Sequence, residues 1–134
     1  MKTFTVTSAT RNEMIDITAR VADAIALTGV RSGICYVFVP HTTAAVTINE
    51  NADPVVPRDI LAALSKAFPE QGDYRHAEGN SDAHIKTSLV GSSVPVFVEN
   101  GRLVLGTWQS IFLCEFDGPR TRTVHCSVLS AIGG

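Results

Sequence analysis

Two short segments concentrate the side chains that could do chemistry. The first, His41-Thr42-Thr43-Ala44-Ala45-Val46-Thr47-Ile48-Asn49-Glu50-Asn51-Ala52-Asp53, opens on an imidazole and closes on amides and carboxylates. Side chains alternate along a strand, so His41, Thr43, Thr47 and Asn49 share a face, and the small Ala45 among them leaves room for a ligand. Threonines of an exposed strand followed by an Asp53 helix cap read equally well from the same letters. The second segment, Arg75-His76-Ala77-Glu78-Gly79-Asn80-Ser81-Asp82-Ala83-His84-Ile85-Lys86, places imidazoles, carboxylates, a guanidinium and an ammonium around one glycine. Neutral imidazole is the commonest transition-metal ligand. His76 and His84 with His41 would make a three-ligand site whose open positions take water or a phosphate oxygen. Arg75 and Lys86 would then offset phosphate charge. A solvated polar loop has the same composition.

The familiar local metal motifs do not apply. The spacing His76-x7-His84 matches no standard zinc pattern, and HExxH is absent. His76-x-Glu78 matches the first half of the zinc-deaminase signature, but no PCxxC follows, which excludes that reaction. A third segment, Gly101–Gln109, interrupts an apolar run with Gly106 beside Trp108, the sole tryptophan. Gly106 there marks a bulge or a close backbone approach. Trp108 reads as a core anchor or as a stacking surface for an aromatic ligand. Glu115 shares strand parity with Ile111 and Leu113, so it faces inward and needs a partner. His125 has no polar pattern around it and reads as structural.

The elements that would position these residues follow from hydrophobic period. Lys2–Ser8 alternates as a half-buried strand. Over Asn12–Thr28 the period becomes helical, with Met14, Ile17, Val21, Ala24 and Ile25 on one face, Thr10 or Asn12 as cap and Gly29 as stop. Gly33–Pro40 is almost wholly apolar and reads as a strand covered on both faces. Asp53-Pro54 opens a second helix that buries Ile60, Leu61, Leu64 and Phe68. Pro69–Asp82 reads as a loop, and His84–Leu89 as a short helix or a strand. Val94–Val98 and Leu103–Leu105 flank Asn100-Gly101, the strongest short hairpin signal. Gln109–Asp117 and Arg122–Leu129 complete the strands. The expected fold is a single α+β domain over residues 1–134, a β-sandwich with two principal helices packed outside.

Composition narrows the partners. The chain has 134 residues, enough for one core, and a net charge of -2. Its 11 Lys and Arg are scattered, and Arg120 with Arg122 is too small a group for a nucleic-acid footprint. No apolar run reaches a membrane span, and the first residues lack a signal-peptide pattern. The 3 cysteines, Cys35, Cys114 and Cys126, lie in apolar runs without CxxC spacing, so a reducing cytoplasm is expected.

Together HTTAAVTINENADP, RHAEGNSDAHIKTSLVGSS and NGRLVLGTWQSIFLCEFDGPR resemble, in order and spacing, the signature blocks of the YjbQ family, often described as secondary thiamine-phosphate synthases. The resemblance runs from about Gly33 to Val128. It implies a sandwich-like α+β fold, a cytoplasmic homotrimer, and a polar metal site drawn from the histidine blocks. Carried over residue by residue, His41, His76 and His84 are the metal ligands. Asn49, Glu50 and Asp53 match the first block; Glu78, Lys86, Thr107, Trp108, Gln109 and Glu115 match the later ones. The expected catalytic groups are Glu50, Glu78 and Lys86, and the substrate-binding groups are Thr42, Asn49, Arg75, Trp108 and Gln109.

Three readings of function follow. In the first, a metal-dependent enzyme joins a pyrimidine diphosphate to a thiazole phosphate and releases pyrophosphate. Magnesium suits the diphosphate, whereas histidine ligands favour zinc or a similar ion. In the second, a metal-dependent hydrolase acts on a small phosphorylated or polar compound, with Glu78 or Glu50 as general base. In the third, the polar blocks hold a ligand or metal within a non-catalytic trimer.

Overall fold

A computed structural model describes residues 1–131 of the chain. Alternating segments pair into two antiparallel sheets. The first has five strands in the order β1 (Lys2–Thr7), β8 (Thr121–Ser130), β3 (Gly33–Phe38), β5 (Ser93–Glu99) and β6 (Arg102–Leu103). The second has three, in the order β2 (Glu13–Asp16), β7 (Gln109–Glu115) and β4 (Ala44–Glu50). Their facing sides carry the apolar parity of each strand: Cys35 and Val37 from β3, Val124 and Cys126 from β8, Ala44 and Val46 from β4, Ile111 and Leu113 from β7. Helix α1 (Thr18–Ala26) adds Val21, Ala24 and Ile25 to the same core and contacts strands of both sheets.

Two more helices, α2 (Val55–Ala67) and α3 (Ser81–Val90), cover the outer side of the three-stranded sheet. The opposite parity of its strands, Ala45, Phe112 and Cys114, packs there with Ala83 of α3, Phe116, and the half-buried Leu61 and Leu64 of α2. The layers are therefore sheet, core, sheet and helices, the expected sandwich with helices outside.

Four local readings change. The helical period over Asn12–Thr28 begins to act only at Thr18, because Glu13–Asp16 forms β2 along the edge of β7, with Met14 opposite Cys114. Asp16 then accepts the Thr18 N–H at 2.9 Å, in the place foreseen for Thr10 or Asn12, while Gly29, at φ 71°, follows the helix as foreseen. The segment holding His84 is a helix, so the described residues hold three helices, of which α2 and α3 pack outside and α1 joins the core. Strand β3 is covered on one face only; Tyr36 and Phe38 are 44% and 43% exposed. Finally, the room beside Ala45 is filled by α3, for Ala45 and Ala83 are both fully buried in one cluster.

The turn chemistry holds. Asn100 and Gly101 adopt φ 53° and 73°, the left-handed pair that a tight hairpin requires, and β5 meets β6 with Val98 opposite Leu103. Asp53 accepts the Val55 N–H at 2.9 Å at the start of α2. Among the described residues, no helix is long and apolar enough to cross a membrane.

Candidate functional site

His84 lies on the outward side of α3, one face away from the buried Asp82 and Lys86. The loop before the helix brings His76 against it, the two rings meeting edge to face with centroids 5.4 Å apart. His41 follows β3 on the chain's path into β4, and its Nε2 accepts the Thr123 backbone N–H at 2.9 Å. Three clefts meet at His84. One, of about 580 Å³, is lined by Tyr74, Arg75, His76, Ser81 and His84. A second, of about 390 Å³, adds His41, Thr42, Glu78, Asn80 and Arg120. The last, of about 340 Å³, runs between His41 and the later turns of α3, past Thr87 and Ser88.

Electrostatics differ around the ring of clefts. Burial, and then the Arg122 charge, hold the His41 imidazole below its ordinary pKa, so it is neutral near pH 7. A neutral imidazole whose Nε2 accepts a hydrogen bond carries its proton on Nδ1. Arg122 itself is buried and engaged: its Nε reaches Glu115 at 2.8 Å, and its Nη2 reaches Glu115 at 2.5 Å and Thr43 Oγ1 at 2.8 Å. Arg120 is half exposed and pairs with Asp117 at 3.2 Å. Glu78 stands 3.8 Å from His76, both near the surface.

His41, His76, His84, Thr42, Arg75 and Glu78 thus come to one region, as the two segments suggested. The remaining candidates lie elsewhere. Asn49 and Glu50 end β4 opposite Ser110 and Gln109, which at strand rise is about 20 Å beyond Ala44. Trp108 precedes Gln109 there and is 62% exposed. The Gln109 side chain closes its own turn by accepting the Gly106 N–H at 2.8 Å. Lys86 is almost fully buried beneath α3, where its Nζ donates to Asp82 at 3.1 Å, Asn12 at 3.2 Å and Ser65 at 3.4 Å. It does not reach the clefts. Cys114 packs under the helices, and burial pushes its thiol up to about 12, which leaves it inert.

The sequence reading missed Arg120, Tyr74, Thr87, Ser88 and Ser92 as lining residues. Arg120 sits next to Gly118-Pro119, a turn signal that could have marked it as a loop cation. The hydroxyls carried no signal before α3 was known to be a helix.

The family model described as UPF0047 protein YjbQ-like matches residues 2–131. The chain belongs to the YjbQ-like UPF0047 family. It is 51% identical to the UPF0047 protein YugU of Bacillus subtilis over 96% of this chain and 98% of that one. With the UPF0047 protein MJ1081 of Methanocaldococcus jannaschii the identity is 50%, covering 89% and 86%. The fold is equally close to a crystal structure of a YjbQ/UPF0047 protein from Clostridium acetobutylicum, with a TM-score of 0.95, 53% identity and coverage of 96% and 100%.

The donor types suit a borderline metal ion, but one chain supplies them incompletely. His76 and His84 form a natural pair. His41 would have to release Thr123 to become a third ligand. Among the described residues, no three His, Cys, Asp or Glu side chains are close enough together to hold a metal ion.

Proposed function

We propose that this YjbQ-family chain is an enzyme acting on a small phosphorylated compound, bound where the three clefts meet at His84. The observation that carries the reading is that His84 joins clefts bearing Arg75 on one side and Arg120 on the other. A guanidinium beside an imidazole is what a phosphoryl group needs for orientation and charge. Glu78, close to His76, can take a proton from an attacking water or hydroxyl. That position favours Glu78 over Glu50 as the base, since Glu50 lies at the far end of β4.

A divalent ion held by His76 and His84 would supply Lewis-acid stabilisation to the phosphoryl oxygens. The thiamine-phosphate synthase reaction that the resemblance implies is one transformation for such a site, and hydrolysis of a phosphoester is another. Trp108 gives the synthase reading no support within one chain, because it stands at the opposite end of the sheet. The family resemblance also suggests a homotrimer, and the open apolar face of the five-stranded sheet supports it: Tyr36, Phe38, Phe97 and Leu129 share that face and are exposed.

The test is an assay of purified protein with zinc, manganese or magnesium against two arms. One arm pairs a pyrimidine diphosphate with a thiazole phosphate; the other is a panel of phosphomonoesters. Turnover in either arm should fall by about 100-fold or more in Glu78→Gln, the usual loss for a general base, and vanish in His84→Ala. Turnover that persists in His84→Ala would overturn the proposal.

A further inference from the structure

The three clefts around His84 are chemically unequal. Two carry a guanidinium, Arg75 in one and Arg120 in the other. The third, about 340 Å³ between the His41 segment and the C-terminal half of α3, has no Asp, Glu, Lys or Arg along its wall. Its polar groups are the hydroxyls of Thr42, Thr87, Ser88 and Ser92 and the imidazoles of His41 and His84.

Thr87 is the informative member. It is 93% buried by its 7% exposure, and among the described residues its Oγ1 has no hydrogen-bond partner although it is shut off from bulk solvent. A hydroxyl inside a helix ordinarily bonds the carbonyl one turn back. Its neighbour Ser88 does so, donating to the His84 carbonyl at 2.9 Å. Thr87 does not, which leaves a buried hydroxyl at the wall of the cleft with a donor and an acceptor free. An unsatisfied buried hydroxyl is costly unless something at the site completes it. Across the cleft, the His41 Nε2 accepts the Thr123 N–H, which leaves Nδ1–H as the donor facing outward from that bond. Gly91 and Ser92 form the rim, where the chain leaves α3.

We propose that this cleft holds the uncharged, hydroxyl-bearing part of the substrate, whose phosphate lies across His84 on the guanidinium side. The substrate class is thus a phosphorylated polyol or sugar, rather than a phosphate ester of an apolar group. Hydroxyls pair with hydroxyls by donating and accepting at once, so an array of neutral hydroxyls and one neutral imidazole matches a polyol. A second charged group would find no counter-ion there. The inference rests on the phosphate reading given above, but it makes a separate claim about the other end of the molecule.

The probes are ribose 5-phosphate, pentyl phosphate of equal charge, ribitol without phosphate, and inorganic phosphate, each titrated calorimetrically into full-length protein. Ribose 5-phosphate should bind about 10-fold or more tightly than pentyl phosphate, the gain expected from one or two completed hydrogen bonds. Thr87→Val, nearly isosteric, should reduce that preference to about twofold, while Thr87→Ser restores it and inorganic phosphate affinity stays unchanged in both. Thermal melts establish that each variant is folded. Equal binding of ribose 5-phosphate and pentyl phosphate, or a preference untouched by Thr87→Val, would overturn the polyol inference while leaving the phosphate reading in place. Binding of ribitol with no effect of phosphate would do the reverse. If none of the four probes binds, both are overturned.

Discussion

Glu115 shows how one residue's position decides its chemistry. Strand parity turns it toward the core with Ile111 and Leu113, and the fold answers with Arg122 on β8, Ser8 Oγ at 2.8 Å and the Asp117 N–H at 3.0 Å. Burial pulls its carboxyl pKa up, but the hydrogen bonds from Arg122, Asp117 and Ser8 outweigh that and hold it below the ordinary value. The unfolded chain therefore takes up this proton first as pH falls. The pair's stabilisation is present above about pH 4.3 and is lost as pH falls through the lower folded value. Glu115→Gln should destabilise by about 3–5 kcal/mol in urea at neutral pH, because Arg122 is left charged and buried alone. The double change Glu115→Leu with Arg122→Met should recover much of this, and its urea midpoint should fall less steeply below about pH 5 than that of the natural chain. His41 works in the same direction at higher pH. Its folded pKa is depressed, first by burial and then by Arg122, so the unfolded state binds the proton first. Stability should decline as pH drops below about 6.5, and His41→Asn, which can still accept the Thr123 N–H, should remove that component from the pH profile of the melting temperature.

At the scale of elements, α3 is the piece on which the site depends. Its outward side presents His84 and Ser88, and its inward side carries Ala83 onto Ala45 and Lys86 onto a buried polar cluster. Lys86 has no solvent to fall back on, and neither does Asp82, whose other oxygen accepts from Arg11 at 3.0 Å. Lys86→Met should lower stability by about 3–5 kcal/mol, read as a drop in urea midpoint with an unchanged slope. An effect below about 0.5 kcal/mol, the range of a surface change, would mean that the cluster is not what anchors the helix. This helix was also the least legible element in the sequence. SDAHIKTSLV is polar on both sides because one side holds the cluster and the other the clefts, so no apolar stripe marks a helical period. The strands and the hairpin were legible because β-branched alternation and Asn-Gly act locally. The strand Glu13–Asp16 was not, since Met14 and Ile17 also satisfy a helical spacing, and only pairing with β7 decides between the two. The site was legible in the same uneven way. Residues that share a short loop or helix, such as His76, Glu78 and His84, were found together. Glu50 and Trp108 were grouped with them by block order, but β4 separates them by its own length.

At the scale of the molecule, the two sides of the sandwich have different fates. The three-stranded sheet is covered by its own helices, whereas the five-stranded sheet presents Ile34, Tyr36, Phe38, Pro95, Phe97 and Leu129 outward. Ile34 lies directly between Phe97 and Leu129 in the register, so these side chains form one continuous patch rather than scattered exposures. A contiguous apolar area of this kind on a β-sheet draws water-ordering and aggregation costs unless another surface covers it. The same face of a second and third copy would do so, which ties the proposed trimer to these residues. Phe97→Glu and Leu129→Lys, each placing a charge beside Ile34 in the patch, should leave the chain monomeric in light scattering where the unaltered chain runs as the proposed trimer. Their strands should stay folded, since both side chains point away from the core. A charge substitution at Val55 on α2, exposed but on the helix side, should leave the assembly unchanged. A natural chain that runs as a monomer, or a trimer that tolerates both patch substitutions, would show that this face is covered in some other way. The trimer would also fix how far the His84 clefts stand from a neighbouring subunit's Trp108. The distance within one chain is set by β4, and only assembly can shorten it.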